Sequence, residues 1–305
     1  MTEIVKLSRR IWNQRYLFLM SIPFILWFVV FKYIPLWGWS IAFQDYKIEK
    51  GFFEQAWVGL KHFKAVFADA KFYQVMRNTL GMSLLNLVLG FPMPIILALL
   101  INEIGNKHFK RSVQTLSYLP HFVSWIVVVG LASKMLASDG TVNALLLKLG
   151  VIDTSIQFTG VGKYFWWVVT FSDVWKEMGW KSIIYLSAIS SIDPTLYEAA
   201  DIDGAGRLRR IWHITLQGIR PTMVILLIMA IGNIVNIGFE KQMLFSNPMV
   251  KEYSEVLDLY ALQYGIEMFR FSFGTAVGVF KSVVSIILLL IANTVSRRLG
   301  ETGIY

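Results

Sequence analysis

Six stretches of this chain are apolar for long enough to cross a lipid bilayer, and this limits what the chain can fold into. A spanning helix needs about 20 predominantly apolar residues. The stretches run Leu17 to Phe43, Arg77 to Ile101, Ser112 to Leu136, Tyr164 to Ile192, Ile219 to Phe239 and Gly274 to Val295. Hydrophobic residues make up 55% of the 305 and charged residues 16%, against about 25% charged in an ordinary soluble domain. The expected fold class is an all-α membrane protein with six transmembrane helices. The first stretch is too long for a signal peptide and no small-residue cleavage site follows it, so it is expected to stay as the first helix.

The formal charge of +9 raises the question of a nucleic-acid partner, but membrane proteins collect Lys and Arg in cytoplasmic loops for orientation alone. No nucleic acid is expected. Lys and Arg are denser in the N-terminal segment 1–16, in the loops after the second and fourth stretches and in the C-terminal segment than in the longer opposite loops. Both termini are therefore expected in the cytoplasm. There is no cysteine, which removes disulfide and thiolate chemistry. With no internal repeat, low-complexity tract or linker, residues 1–305 are expected to form one transmembrane domain. Pro23, Pro35, Pro92, Pro94, Gly179 and Gly232 fall within the helices, where neighbouring helices re-satisfy freed backbone groups.

Between the fourth and fifth stretches stands EAADIDGAGRLRR, Glu198 to Arg210. Asp193 followed by Pro194 reads as a helix N-cap and first position. A short helix follows, and Gly204 and Gly206 supply a sharp turn. Leu208, Ile211, Trp212 and Leu216, with Thr215, then recur at helical spacing and leave Arg207, Arg209 and Arg210 off that face. The residues give a cytoplasmic helix–turn–helix. Physics alone leaves two roles open, a solvated loop touching anionic lipid or a docking element.

EAADIDGAG resembles the EAA loop of importer-type ABC transporter permeases. Glu198, Ala199, Ala200, Asp203, Gly204 and Ala205 match that pattern, as do Trp212, Ile214, Thr215, Leu216 and Pro221. Ile211 stands where an aromatic is usual and Gln217 where a proline is usual. FKYIPLWGWSIAFQDYKI, the DGTVNALLLKLGVI run from Asp139, GNIVNIGFE from Gly232, and FSFGTAVGVFKSVVSIILLLIANTVSRRLG from Phe271 are similar to the polysaccharide and complex-oligosaccharide branch of the sugar permeases, near the maltose-type family. The resemblance implies an importer permease fold in which the loop at about 193–218 couples to a separate ATPase through Glu198, Ala199, Ala200, Asp203, Gly204, Ala205 and Trp212, with Trp212 rooting the second helix against the bundle. It also implies a second permease subunit of different sequence, a cytoplasmic ATP-binding dimer, an extracytoplasmic solute-binding protein, an oligosaccharide substrate, and the plasma membrane of a prokaryote as the location.

The chain itself lacks the parts of an enzyme. GVGKY at Gly160 looks like the end of a phosphate-binding loop, yet Tyr164 replaces the hydroxyl ligand for magnesium and Gln157 the first glycine. The four histidines (His62, His108, His121 and His213) are scattered. No cofactor or metal is expected on this chain, and ATP and magnesium belong to the partner ATPase.

Asp173, Lys176, Glu177 and Lys181 fall inside the fourth stretch, with Asp173, Glu177 and Lys181 at i, i+4 and i+8. An ionised group at membrane depth costs at least ~2.5 kcal/mol. Two arrangements satisfy that cost. The four charges neutralise one another as structural pairs, or they form a polar wall of a sugar path together with Asn233 and Asn236. A secondary transporter or channel is the competing class; it is expected to show an inverted repeat and broken helices at the midplane, and neither is visible in the sequence. The cysteine-free background makes the orientation testable. A thiol introduced at Gly206 is expected to react with a membrane-impermeant reagent only in opened cells, and labelling from outside intact cells would overturn it.

Overall fold

The computed structural model describes residues 12–301 and 303–304. Residues 1–11 of the expected N-terminal segment 1–16 lie outside the described residues. The described residues divide into two compact units, one of those up to 68 together with 264–279 and one of 69–263 together with those from 280 on.

In the first unit, helix α1 (Arg15–Phe28) passes through a π-helical turn at Val29–Tyr33 into a 3₁₀ segment at Ile34–Phe43. The 29 residues from Arg15 to Phe43 are long and apolar enough to span a membrane. Nothing in α1 is buried, and Phe24 is 76% exposed, the pattern of a helix whose surroundings are not water. A short antiparallel hairpin follows, strands β1 (Gln44–Asp45) and β2 (Ala56–Trp57), pairing Gln44 with Trp57. The Gln55 side chain accepts from the Lys47 amide at 2.8 Å and donates to three carbonyls in the hairpin loop. Helix α2 (Lys61–Ala68) completes this part. The first turns of the final helix close the unit, with Ser272 Oγ donating to the Gln44 carbonyl at 2.6 Å.

The second unit begins with α3 (Ala70–Leu85), capped by the Asp69 side chain. A π-helical turn at Asn86–Gly90 leads into α4 (Pro92–Asn102). Helix α5 (Lys107–Tyr118), a 3₁₀ turn at Leu119–Phe122 and α6 (Trp125–Met135) follow, then the short α7 (Thr141–Lys148). The spine of the unit is α8, Gly162–Ser190, with 29 residues and therefore about 43 Å of rise. Two dry cores grip its ends. Phe165, Val168 and Val169 pack with Met82, Val129, Phe245, Val250, Val256 and Leu259; Tyr185 and Ile189 pack with Ile95, Ala98 and Ile219. The charged stretch of α8 lies between them.

Beyond α8 come α9 (Pro194–Ile202), α10 (Arg207–Arg210), a π turn at Ile211–Thr215, α11 (Leu216–Gly218) and α12 (Arg220–Gly232). Short helices α13 (Glu240–Phe245), α14 (Lys251–Ser254) and α15 (Leu257–Leu262) lead toward the final helix α16 (Phe271–Arg298). Asn78 of α3 ties this region down, its amide donating to the carbonyls of Glu252 and Glu255 at 2.7 and 2.9 Å.

Two expected spans differ from the sequence reading. The third, Ser112 to Leu136, is bent by 103° between Lys107–Phe122 and Trp125–Met135. Pro120 opens a 3₁₀ turn, Val123 is extended, and Ser124 starts a new helix by accepting from Val127 N. The fifth, expected to reach Phe239, ends at Gly232; Asn233 leaves the helix, and Gly238 takes φ +76°. It is bent by 61° from the Arg207–Gly218 helix before it. Interruptions invisible in the sequence are therefore present. Among the described residues three helices pass as single spans and up to five pass if each bent pair is one span; α8 has the length and carries five charged residues, Lys163, Asp173, Lys176, Glu177 and Lys181.

Gly179 marks the tightest crossing. A Cβ there would stand 1.8 Å from the Ser117 carbonyl oxygen, whereas one at Gly130 meets nothing within 4 Å. Because the obstacle is backbone, Gly179→Ala is expected to cost about 3 kcal/mol, the upper end of ordinary overpacking, while Gly130→Ala keeps the parent's stability. Thermal unfolding in detergent checks this, and equal midpoints for the two variants would refute the close crossing.

Candidate functional site: a charged cavity and an exposed helix–turn–helix

Within the second unit a cavity of about 950 Å³ opens between α3, α4, α6, α8, α12 and α13. Its wall is built where helices are irregular. The π turn at Asn86–Gly90 turns Asn86 toward α8, and such turns recur at functional sites. The chain leaving α12 contributes Asn233 and Asn236, and α13 contributes Glu240 and Lys241.

Of the sequence-predicted residues, Asp173, Glu177, Lys181, Asn233 and Asn236 line the cavity. Asp173 is paired: Lys241 Nζ reaches its Oδ1 at 2.5 Å and Asn86 Nδ2 donates to its Oδ2 at 2.5 Å. Glu177 stands 3.0 Å from His121 Nδ1 and 3.7 Å from Lys176 Nζ. Lys176 is not in the wall; it is buried and donates to the His121 carbonyl at 2.5 Å. His121 stacks on Trp180, ring centroids 4.5 Å apart. Lys181 is exposed and has no ion-pair partner within 4 Å among the described residues. Asn236 donates to Ser285 Oγ at 2.7 Å and Asn233 to the Met229 carbonyl at 3.0 Å.

Lys176 and Glu177 neutralise one another locally, while Asp173, Glu177 and Lys181 share the cavity wall. Asn86, Trp125 and Lys241 were missed. Lys241 was hidden because its segment lay past the expected end of a span, and Asn86 because an asparagine between helices reads as packing. Trp125 holds the ammonium groups of Lys176 and Lys241 at 5.7 and 5.6 Å from its ring centroid. No metal-holding cluster of His, Cys, Asp or Glu occurs among the described residues. The wall offers hydrogen bonds, charge and aromatic faces, which suit the binding of a large polar solute.

The second feature is the helix–turn–helix from Pro194 to Gly218. Asp193 caps α9 by accepting from Thr195 N at 2.9 Å, with Pro194 at the first position. That backbone hydrogen bond holds the Asp193 carboxyl below its usual value; the cap's contribution exists above the unfolded-state pKa and is lost as pH falls through the lowered folded one. Gly204 carries φ +70°. Ala205 N bonds to the Ala200 carbonyl at 2.8 Å and Gly204 N to the Asp201 carbonyl at 3.1 Å, the paired bonds of a Schellman helix end. Gly206 differs from expectation: it has φ −66° and precedes α10 as an extended N-cap. Tyr197 and Thr215 share a hydrogen bond at 3.0 Å, and Arg210 pairs with Asp201.

The expected apolar face is split. Thr215 is buried and Ile211 and Leu216 are half-buried, but Leu208 is 82% and Trp212 65% exposed. Trp212 therefore does not root the second helix against this bundle. The π turn at Ile211–Thr215 widens the helix and shifts its phase, so Ile219 takes the buried position. Glu198, Ala199, Asp203 and Gly204 are exposed, and Ala200 and Ala205 half-buried.

Membrane-length helices around a charged cavity define a class, the integral membrane transport proteins. Residues 90–301 match the family described as the binding-protein-dependent transport system inner membrane component, and the chain belongs to that family. The family resemblance drawn from the sequence holds. The chain is 46% identical over 294 residues to the polygalacturonan/rhamnogalacturonan transport system permease protein YteP of Bacillus subtilis (strain 168), covering 96% of this chain and 91% of that one. It is 42% identical to protein LplB of the same organism over 96% and 92% of the two chains. Among solved structures it is similar to a bacterial ABC transporter involved in the import of the acidic polysaccharide alginate, at 39% identity and TM-score 0.86 over 97% of this chain and 100% of that one. A second structure, of a bacterial alginate ABC transporter in complex with alginate pentasaccharide-bound periplasmic protein, gives 39% identity and TM-score 0.87 over 98% and 100%.

The pairing of Asp173 with Lys241 is measurable. Their side chains are 10% and 15% exposed, and removing one partner of a buried pair costs about 3 to 5 kcal/mol, less here because the cavity admits water. Asp173→Ala and Lys241→Ala are each expected to lose about 1 to 3 kcal/mol on that discount, and the double variant less than their sum. Thermal unfolding of all four proteins checks it; strict additivity would show that the pair does not interact.

Proposed function

We propose that this chain is a permease subunit of an ATP-driven, binding-protein-dependent importer of oligosaccharides derived from polysaccharides. The observation that carries it is the charged, hydrogen-bonding cavity inside a bundle whose family supplies binding-protein-dependent transport components. In this proposal the chain is one transmembrane domain of six spans, α8 and the two bent pairs included, with both termini in the cytoplasm of a prokaryote. It is not itself an enzyme. ATP and magnesium are used by a separate ATP-binding dimer, a second permease subunit of different sequence completes the path, and an extracytoplasmic binding protein delivers the sugar. One relative is a polygalacturonan/rhamnogalacturonan permease and two similar structures are alginate ABC transporters, which supports a polysaccharide-derived cargo.

The helix–turn–helix is proposed as the coupling element. Glu198 is its charged anchor, Ala199 and Ala200 permit close approach, and Asp203, Gly204 and Ala205 form the turn. Trp212, exposed with Leu208 and Ile202, gains a role facing the ATPase instead of the bundle. A charge-assisted hydrogen bond to Glu198 is worth about 1.5 to 3 kcal/mol, and φ +70° at Gly204 disfavours any side chain.

Glu198→Ala and Gly204→Asp are expected to leave the membrane bundle folded and to weaken ATPase docking, with Gly204→Asp more damaging than Gly204→Ala. Co-purification of the ATPase, then binding-protein-stimulated hydrolysis and sugar uptake in liposomes, supply the readout. Normal docking, stimulation and uptake in both variants would return the element to a solvated loop; uptake by the chain alone, without ATPase or binding protein, would favour a secondary transporter.

A further inference from the structure

The charges in the cavity wall are unevenly satisfied. Asp173 and Lys241 neutralise one another, Asn86 adds a hydrogen bond, and Glu177 is occupied by His121 and Lys176. That leaves Lys181 as the lining cation without an ion-pair partner within 4 Å among the described residues, and Glu240, also in the wall, as the acid without one. Lys181 stands eight residues beyond Asp173 on the same helix, about 12 Å along the axis.

Lys241 is placed to change partners. It sits on the short helix α13, which is joined to α12 by the irregular chain from Asn233 and by Gly238 at φ +76°. Gly238 N is held by Asp258 Oδ2 at 2.9 Å, and Lys281 occupies the other oxygen of Asp258, which fixes the chain before α13 and leaves Lys241 in the cavity wall beside Asp173.

We propose that the cavity selects anionic sugars by a charge exchange, in which Asp173 occupies Lys241 while the path is empty, an incoming uronate carboxylate takes over Lys241, and Lys181 receives a second carboxylate. The proposal rests on the importer reading above and adds to it the substrate charge and the residues that read it. No bond is made or broken. The carboxylate of the substrate replaces that of Asp173, whose remaining hydrogen bond from Asn86 keeps it partnered during the exchange. A neutral sugar offers Lys241 no replacement for Asp173 and leaves Lys181 unpaired.

The test uses the assembled importer with its ATPase, second permease subunit and binding protein. The probes are a galacturonate trisaccharide and the same trisaccharide with its carboxyl groups reduced to alcohols. Direct binding to the complex in detergent and uptake into liposomes are measured for each. Lys181→Gln is expected to lower the preference for the acidic sugar by about tenfold, the worth of one charge-assisted hydrogen bond, and Lys181→Arg to restore it. Asp173→Asn, which removes the competing charge and keeps the side chain's shape, is expected to tighten binding of the acidic sugar.

If Lys181→Gln changes both sugars by the same factor, or if Lys181→Arg fails to rescue, Lys181 is a structural residue and the proposal is overturned. If Asp173→Asn assembles and weakens the acidic sugar, the exchange is wrong; should that variant not assemble, the Lys181 pair of variants still decides the selectivity. An unaltered complex that neither binds nor takes up either sugar sinks the importer reading itself, a result distinct from the others.

Discussion

An ionised side chain in an apolar bundle persists only where something compensates its lost hydration, and the second unit is arranged around one such compensation. Asp173 lies near the middle of a 29-residue helix whose two ends are gripped by dry cores. Lys241 reaches it from a segment 68 residues later and Asn86 from one 87 residues earlier. Three elements distant in sequence therefore meet at one carboxylate. Buried ion pairs seldom repay their desolvation, and apolar replacements are often as stable or more so. A pair at this position is therefore poor evidence for stability, and it fits the charge exchange proposed for the cavity beside it.

The charges on α8 were legible because acid and base inside an apolar run violate the composition that makes the run a span. Their division of labour was not. Asp173, Glu177 and Lys181 at four-residue spacing face one side, but Lys176, one position from Glu177, turns toward the His121 carbonyl. Only the path of the chain through Leu119–Phe122 puts that carbonyl there, and the path depends on a bend of 103°. Lys241 was illegible for a similar reason. Its approach to Asp173 requires the fifth span to stop at Gly232 and the chain to turn at Gly238, whereas hydropathy alone carries the span on to Phe239.

Local signals fared better than long-range ones in the helix–turn–helix. Asp193, Pro194 and Gly204 act on their immediate neighbours, so their cap and turn were readable one residue at a time. The orientation of Trp212 depends on phase accumulated along the helix, and one π turn at Ile211–Thr215 is enough to alter it. That turn begins where the family pattern has an aromatic and this chain has Ile211. Gly179 belongs with the long-range class: nothing in its own segment reports that the Ser117 carbonyl lies against it.

The cavity and the helix–turn–helix are physically continuous through α8. The helix ends at Ser190 and reaches the Asp193 cap in three residues. Ile192, in that link, lies against Gly218 at the far end of the element, where an added Cβ would come within 2.6 Å of its Cδ1. Ile219, the next residue, is fully buried in the core that contains Tyr185 and Ile189 of α8. Both roots of the helix–turn–helix thus converge on the last turns of α8, while Tyr185 and Lys181, on those same turns, line the cavity. If the helix–turn–helix is the coupling element proposed above, its two anchors place any displacement of it first on the last turns of the helix that also carries Lys181 and the Asp173–Lys241 pair.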